Sequence, residues 1–550
     1  MNATVYVQGV GNFVDDVTGG IILVALAVVI GAVLWAFYML RVARDPSPDP
    51  ALSGQCARWV RIGALVLGTM QLVKLGTKAL VLASALGELP VDAYFGTVQV
   101  QAGIVRALLA FAIAHLAKAA IAAPGDVRAW RRIAWLTLPL VLAGAWLVHA
   151  VGRFEHRGAL MALTVAHQFA AAVWVGCVLQ LLGLWRLSRH DAAARAFWPQ
   201  AVSRFATLGI VAVAALLVTG LVLTLTYVGR WEGMVGTGYG SLVSAKLFLL
   251  ALALGFAALN FRAGRRLHRG ATAAAATRVP RYVESETFVL VTILFVAASL
   301  ASMPPAVDIR SLTATAGEVL AMFRPRIPTL ESPTHAALLA GEAGRLAIVD
   351  RVPSAAAAAW SDYNHNVAGM FLVAMGAIAL LSYLPGFAWA RFWPAGFMLL
   401  GLFLFFRSDA ESWPLGPIGF WESTLGNAEV LQHRLATLLA FTLGALETRA
   451  RARASAHGRL RFMFPLLCGL GGLLLVTHAH LPFEIKTDYL IQSTHLVMGL
   501  LAVIMAVGRW LELRLADDGS GTQARAAGMV SVLAMLAIGY VLVVYNEPIF

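Results

Sequence analysis

Charge is what this sequence lacks. Only 13% of its 550 residues are Asp, Glu, Lys or Arg, against about 25% in soluble globular proteins, which is too little to clothe a water-soluble fold of this size. Cysteine is nearly absent. Cys56, Cys177 and Cys468 lie far apart and form no CxxC pair, which excludes a disulfide scaffold and a thiolate metal motif; the latter two fall in apolar runs and read as small core residues. No Walker A glycine loop, GxSxG elbow or HExxH helix occurs, so ATP-driven pumping, serine hydrolysis and zinc proteolysis by this chain are not encoded. The ~10-residue alternating segments of an outer-membrane barrel are missing as well.

What remains is apolar: 59% of the residues are hydrophobic, and several runs exceed the ~20 residues that cross a bilayer core. The pattern predicts an all-α polytopic transmembrane bundle of about 14 helices. They fall at 18–41, 59–84, 98–122, 132–151, 159–187, 204–229, 240–262, 283–303, 363–386, 390–407, 430–448, 461–480, 489–513 and 527–546. The first twenty residues carry Asp15 and Asp16 but no Lys or Arg, unlike a cleavable signal peptide. That start places the N-terminus outside the cytoplasm.

The net charge of +13 comes mainly from Arg clusters between the apolar runs, as in Arg41 to Arg44, Arg262 to Arg269 and Arg449 to Arg453. With the N-terminus outside, cytoplasmic loops hold roughly 27 Lys and Arg against about 5 in short outer loops, the asymmetry of the positive-inside rule. The basic excess therefore faces a lipid bilayer and not nucleic acid, and the C-terminus also ends on the outer, periplasmic side. A proline-rich stretch, 304–362, divides the chain. It separates an eight-helix membrane domain, 1–303, from a six-helix membrane domain, 363–550. Residues 336–349 are the candidate short helix within that linker.

Ionisable groups at membrane depth are costly and mark functional candidates. In the second domain His365 and His433 begin helices that start at the outer face, His478 and His480 close one that ends there, and His495 lies in the first turns of the next. A lone interfacial His is ordinarily a hydrogen-bonded surface residue. Five on one face, from four helices, are how a bundle builds a metal or cofactor site. His478 and His480 are about 200° apart around a helix, and Pro482 disfavours helix at Leu481, so one can turn inward while the other faces the loop. Imidazole suits copper, zinc and haem iron alike; Glu422, Glu484 and Asp488 are candidate partners that would fix the tautomers.

The first domain repeats the pattern on a smaller scale. His149 closes the fourth helix at the outer face, and His167 lies about 12 Å into the fifth. Met234 and Met303 are further outer-face candidates. His115 reads as structural, His190, His268 and His457 as solvated, and His335 is uninformative. Lys246 can pair with a carboxylate or reach an interface, Lys78 reads as snorkelling, and Glu284 and Glu286 open the eighth helix. The segment from Trp413 to Trp421 is an aromatic belt or a lid over the histidines.

Several of these residues also carry a resemblance. His167 to Gly176, with Trp174, resembles the "His, small residues, Trp-x-Gly" segment of the copper resistance D (CopD/PcoD) family. So do Arg204-Phe205, Thr219-Gly220, Tyr239-Gly240 followed by Lys246, Asn260, Val283-Glu284 and the Met303-Pro304-Pro305 exit. Together they cover about 130–310. Trp360 to His365, Trp413 to Glu422, Leu431 to Arg434 and Thr477 to His480 resemble the C-terminal membrane region of longer members. The glycine expected before His149 is absent, and Cys177 stands where another is expected.

The resemblance implies copper handling at the bacterial inner (cytoplasmic) membrane beside a separate periplasmic copper-binding partner. The leading expectation is a copper transporter, for uptake or delivery, with His365, His433, His478, His480 and His495 as ligands and His149 and His167 as a second site. The alternatives are a b-type haem protein passing electrons from quinol, which would make it an oxidoreductase, and a subunit that delivers metal to another complex.

Overall fold

A computed structural model describes residues 3–42, 49–268, 273–309, 313–342, 354–452, 458–476, 486–517 and 519–548. Among these residues the fold is all-α, with a lone bridge between Ser412 and Ile418 as its β pairing. The long helices are α1 (Ala3–Leu34), α2 (Pro50–Leu86), α3 (Val98–Ala122), α4 (Val127–Ala143), α5 (Arg157–Ser188), α6 (Ala192–Tyr227), α7 (Gly238–His268) and α8 (Ala273–Ser302). They continue with α9 (Ala355–Leu381), α10 (Gly396–Arg407), α11 (Ala428–Ala452), α12 (Met463–Val476), α13 (Lys486–Ala516) and α14 (Gly521–Val543).

Local chemistry sets the boundaries. Asp49 caps α2 by accepting from the Ala51 and Leu52 amides, with Pro50 at the first helical position, and Gly87 follows the helix at φ +84°. Asp126, Asp191 and Ser354 cap α4, α6 and α9 in the same way. Each satisfies an amide that the first turn leaves without a partner.

Twelve of the described helices are long and apolar enough to cross a membrane, so the chain is a multi-pass membrane protein. The expectation of about fourteen spans needs two corrections. The span expected at 132–151 is not one helix: α4 contains Pro139, stops at Ala143 and continues as 3₁₀ turns at Gly144–Leu147 and His149–Gly152. Proline removes a ladder donor and glycine weakens the helix that follows. The span expected at 430–448 is helical, as α11, but Glu429 and Arg434 near its start and Glu447, Arg449 and Arg451 near its end leave only 435–446 uncharged.

Contacts divide the chain into two compact units. One comprises 14–229 and 246–304. There α2 packs on α3, α5 on α6 and α8 against α5. Gly176 of α5 lets this helix touch α1 backbone to backbone: a Cβ there would sit 2.0 Å from the Ala27 carbonyl oxygen. Small residues at such crossings are what bring membrane helices into close van der Waals contact. Lys74 and Lys78, the latter expected to snorkel, both reach Asp15, at 2.9 and 3.8 Å.

The second unit comprises 1–13, 230–245 and 305–550. Here α13 packs between α12 and α14, α9 lies on α14 and α10 on α11. The linker is docked in this unit. Thr315 and Glu318 form a capping box on a short helix, and Glu318 reaches Lys486 at the start of α13 at 2.5 Å. Of the helix expected at 336–349, His335–Glu342 is observed, and its remainder lies outside the described residues.

Two expectations follow. Gly176→Val forces α1 and α5 apart and lowers stability by roughly 3 kcal/mol, read as thermal unfolding in detergent. Gly158→Val, with open space around its Cβ, leaves the transition in place. The Lys486 ammonium, helped by the Thr315 amide, lowers the Glu318 carboxyl from 4.5 to about 2. Its contribution is therefore complete above about pH 4.5 and fades as pH falls toward 2. Glu318→Gln weakens the linker's protection from protease at neutral pH and flattens that acid-induced loss.

Candidate metal sites

In the second unit, one main-chain carbonyl organises the histidine end of the bundle. The oxygen of Arg407, the last residue of α10, accepts from Trp360 Nε1 at 3.1 Å and Asn364 Nδ2 at 2.7 Å, both on α9. The Arg407 guanidinium lies 3.6 Å over the Trp360 ring and donates to Asn364 Oδ1. This knot fixes where the chain leaves α10, so that Asp409 meets His433 of α11, Oδ1 to Nδ1, at 2.8 Å. Burial works to raise the Asp409 carboxyl, but the charge and hydrogen bond of His433 outweigh it and hold it below the usual carboxylate range.

His365 of α9 and His495 of α13 meet edge to face, with ring centroids 5.8 Å apart. Tyr545 stacks on His365 at 4.0 Å and meets His495 edge to face at 6.4 Å. The Nδ1 of His365 contacts the Ser361 carbonyl at 2.8 Å, and that of His495 the Ile491 carbonyl at 3.0 Å. A carbonyl only accepts, so each Nδ1 bears the hydrogen and each ring presents the Nε2 lone pair. His433 likewise spends its Nδ1 hydrogen on Asp409. Metal-binding imidazoles are ordinarily oriented in this way, with the remote N–H given to a carbonyl or carboxylate. Two imidazoles sharing one ion through bonds of ~2 Å have centroids roughly 5–6 Å apart, and the His365–His495 spacing agrees.

The arrangement is a pair with a neighbour. His433 lies within electrostatic range of both rings, yet among the described residues no three His, Cys, Asp or Glu side chains are grouped to hold a metal ion. His478, His480 and Glu484 lie outside the described residues, as does His457. Glu422 is exposed; the carboxylate that orients a histidine is Asp409, which sequence reasoning missed. Its signal was its place two residues past a helix end at the histidine level. His335, uninformative in sequence, meets the Ala410 carbonyl through Nε2 at 2.7 Å.

At their other ends α11 and α13 carry charge. Glu447 Oε1 accepts from Arg451 Nε at 2.8 Å and Arg509 Nη2 at 2.7 Å. Arg509 also donates to Glu512, which accepts from Tyr383 at 3.1 Å. Glu447 follows His433, and Arg509 follows His495, by fourteen residues, about 21 Å along a helix.

In the first unit the two histidines are held by different helices. His167 Nδ1 meets Thr219 Oγ1 at 2.8 Å. Because the Thr219 hydroxyl donates to the Ala215 carbonyl at 2.6 Å, it accepts from His167, which again presents Nε2. A Cβ on Gly220 would lie 3.1 Å from the His167 ring, so the glycine makes room for it. His149, expected to close a helix, instead opens a 3₁₀ turn, and its Nε2 meets the Leu300 carbonyl at 3.3 Å. Two turns further along α5, Trp174 Nε1 donates to Glu286 Oε1 at 2.9 Å and Asn260 Nδ2 to Glu286 Oε2 at 2.6 Å. Glu286, expected at a helix opening, is fully buried.

Residues 199–300 match the family model for copper resistance protein D (CopD). This stretch is a CopD domain. It contains Arg204, Thr219-Gly220, Tyr239-Gly240, Lys246, Asn260 and Glu286, whereas His149, His167 and Trp174 precede it. The CopD domain thus supplies the threonine that orients His167 and both the carboxylate and the amide of the Glu286 cluster. No curated protein and no solved structure matches the chain.

Thr219→Val keeps the shape of the side chain but leaves the His167 N–H buried without an acceptor, at about 1–3 kcal/mol. Combining it with His167→Phe removes both partners and recovers most of that loss. A double-mutant cycle on thermal unfolding measures the coupling, and strict additivity would contradict the bond.

Proposed function

We propose that this CopD protein handles copper at the bacterial cytoplasmic membrane. It takes the ion at the outer face and passes it inward, by uptake or by delivery to another protein. The observation that carries the reading is the pair His365 and His495, two rings on two helices whose Nδ1 hydrogens are absorbed by their own scaffold, beside His433, whose Nδ1 hydrogen goes to Asp409. His478 and His480 are the candidates to complete this set, with His149 and His167 as a second station in the CopD-bearing half. Met234 and Met303 are further thioether candidates at the outer face. Copper is here the cargo, so no resident cofactor and no enzymatic step is required. Both termini and the histidine-bearing helix ends lie on the periplasmic side in this reading, where a separate copper-binding protein would hand over the ion.

A b-type haem is the weaker reading. Axial ligands sit on opposite faces of a porphyrin, and His365 and His495 touch edge to face with no room for a macrocycle between them.

The test is elemental analysis of detergent-purified protein, loaded with copper and desalted, beside the His365/His433/His495 triple alanine variant. Near-stoichiometric copper that disappears in the folded variant is the expected result. Stoichiometric iron in its place would make this a haem protein. In cells, His433→Ala/His495→Ala should alter copper content and copper tolerance, and unchanged values in a normally folded variant would sink the outer-face site.

A further inference from the structure

We propose that Tyr545, braced by Glu547, is the residue that positions the His365 imidazole for its ligand. The inference deepens the copper reading by assigning what covers one face of one of its rings.

The tyrosine ring lies 4.0 Å from that of His365 at an interplanar angle of 26°, a true stack, while His495 meets the same imidazole edge on. His365 is therefore held by Tyr545 on one face, by His495 at its edge, and by the Ser361 carbonyl at Nδ1. Its remaining freedom is rotation about the last side-chain torsion, and a stacked neighbour restricts that rotation.

Tyr545 is itself fixed with unusual completeness. It is 2% exposed, and its hydroxyl donates to Glu547 Oε2 at 2.7 Å. The same carboxylate oxygen accepts from Ser361 Oγ at 2.8 Å, and Ser361 is the residue whose carbonyl takes the His365 hydrogen. Glu547 thus ties both supports of the imidazole, the stack and the carbonyl-bearing residue, to one point. The backbone around it is pinned as well. The Glu547 amide and Asn546 Nδ2 donate to the two oxygens of Asp362 at 2.6 and 3.0 Å, and Asn366 Nδ2 donates to the Tyr545 carbonyl at 3.0 Å. The Tyr545 hydroxyl hydrogen is committed to Glu547, so the tyrosine's role is exerted through the ring it lays on His365.

A purely structural Tyr545 would affect stability alone; a positioning residue changes what His365 does. Two readouts separate these on full-length protein in detergent. The first is the rate of His365 modification by diethyl pyrocarbonate, mapped by mass spectrometry and normalised to His433 in the same molecules. The second is affinity for copper alone, as Cu(I) under ascorbate and again as Cu(II), competed with a chromophoric chelator.

Tyr545→Phe cuts the bond to Glu547 but keeps the stack, and should shift both quantities only slightly toward those of the Leu variant. Tyr545→Leu removes the stack, and should raise the relative His365 rate severalfold and weaken copper binding about 10–100-fold, the usual effect of losing a residue that orients a metal-bound histidine. Unchanged rate and affinity in a folded Tyr545→Leu protein would overturn the proposal. If that variant does not fold, Tyr545→Phe/Glu547→Ala keeps the ring and frees its brace, and the same two quantities decide in the same directions. Wild-type protein that takes no copper, but whose His365 reactivity depends on Tyr545, would remove the copper reading and leave the positioning role intact.

Discussion

Imidazoles can face one another at one level of a bundle only if each already has its Nδ1 hydrogen absorbed by a fixed acceptor. In the second unit that acceptor is a carbonyl one turn back for His365 and His495, and a carboxylate for His433. The carbonyls involved already serve the helix ladder, so a second lone pair takes the imidazole without breaking the helix. Tautomer and ring direction thereby become properties of the helix instead of the solvent. The rest of the site elaborates this condition: the Arg407 knot that delivers Asp409, the stacked Tyr545, and the brace at Glu547.

The first unit meets the same condition with different chemistry. Thr219 is a hydroxyl whose hydrogen is committed to its own helix, which turns a group able to donate or accept into a pure acceptor for His167. Glu286 shows the complementary case, a fully buried carboxylate with an N–H donor on each oxygen. In a bilayer core no water can fill such valences, so the chain must provide each partner. This explains why Trp174 on α5 and Asn260 on α7, both singled out by the CopD resemblance, meet at Glu286 on α8.

Much of this architecture was legible in the sequence because apolar length is a strong signal. Twelve of the expected spans satisfy it, and the two that do not were betrayed by Pro139 and by the charges of Glu447, Arg449 and Arg451. The candidate histidines were legible from topology, which counts helix ends and asks which share a face. Their partners were not. Asp409 and Tyr545 lie beyond the ends of α10 and α14, where no periodicity governs direction, and their positions follow from tertiary bonds to Arg407, Asp362 and Asn366. Glu286 was seen but misread, since three turns of helix precede it and its depth depends on where α8 begins.

The charged groups at the far ends of α11 and α13 have a consequence for the histidines. Glu447 and Glu512 carry two negative charges, Arg451 and Arg509 two positive ones, and the set is electrically neutral. Opposed charges a few ångströms apart cancel at long range, so the field of this staple dies away much faster than that of a lone ion. About 21 Å up the same helices, a cation would find the pair at His365 and His495 almost undisturbed by it. The two helices are thus tied together by strong local forces that cast little electrostatic shadow on the imidazoles.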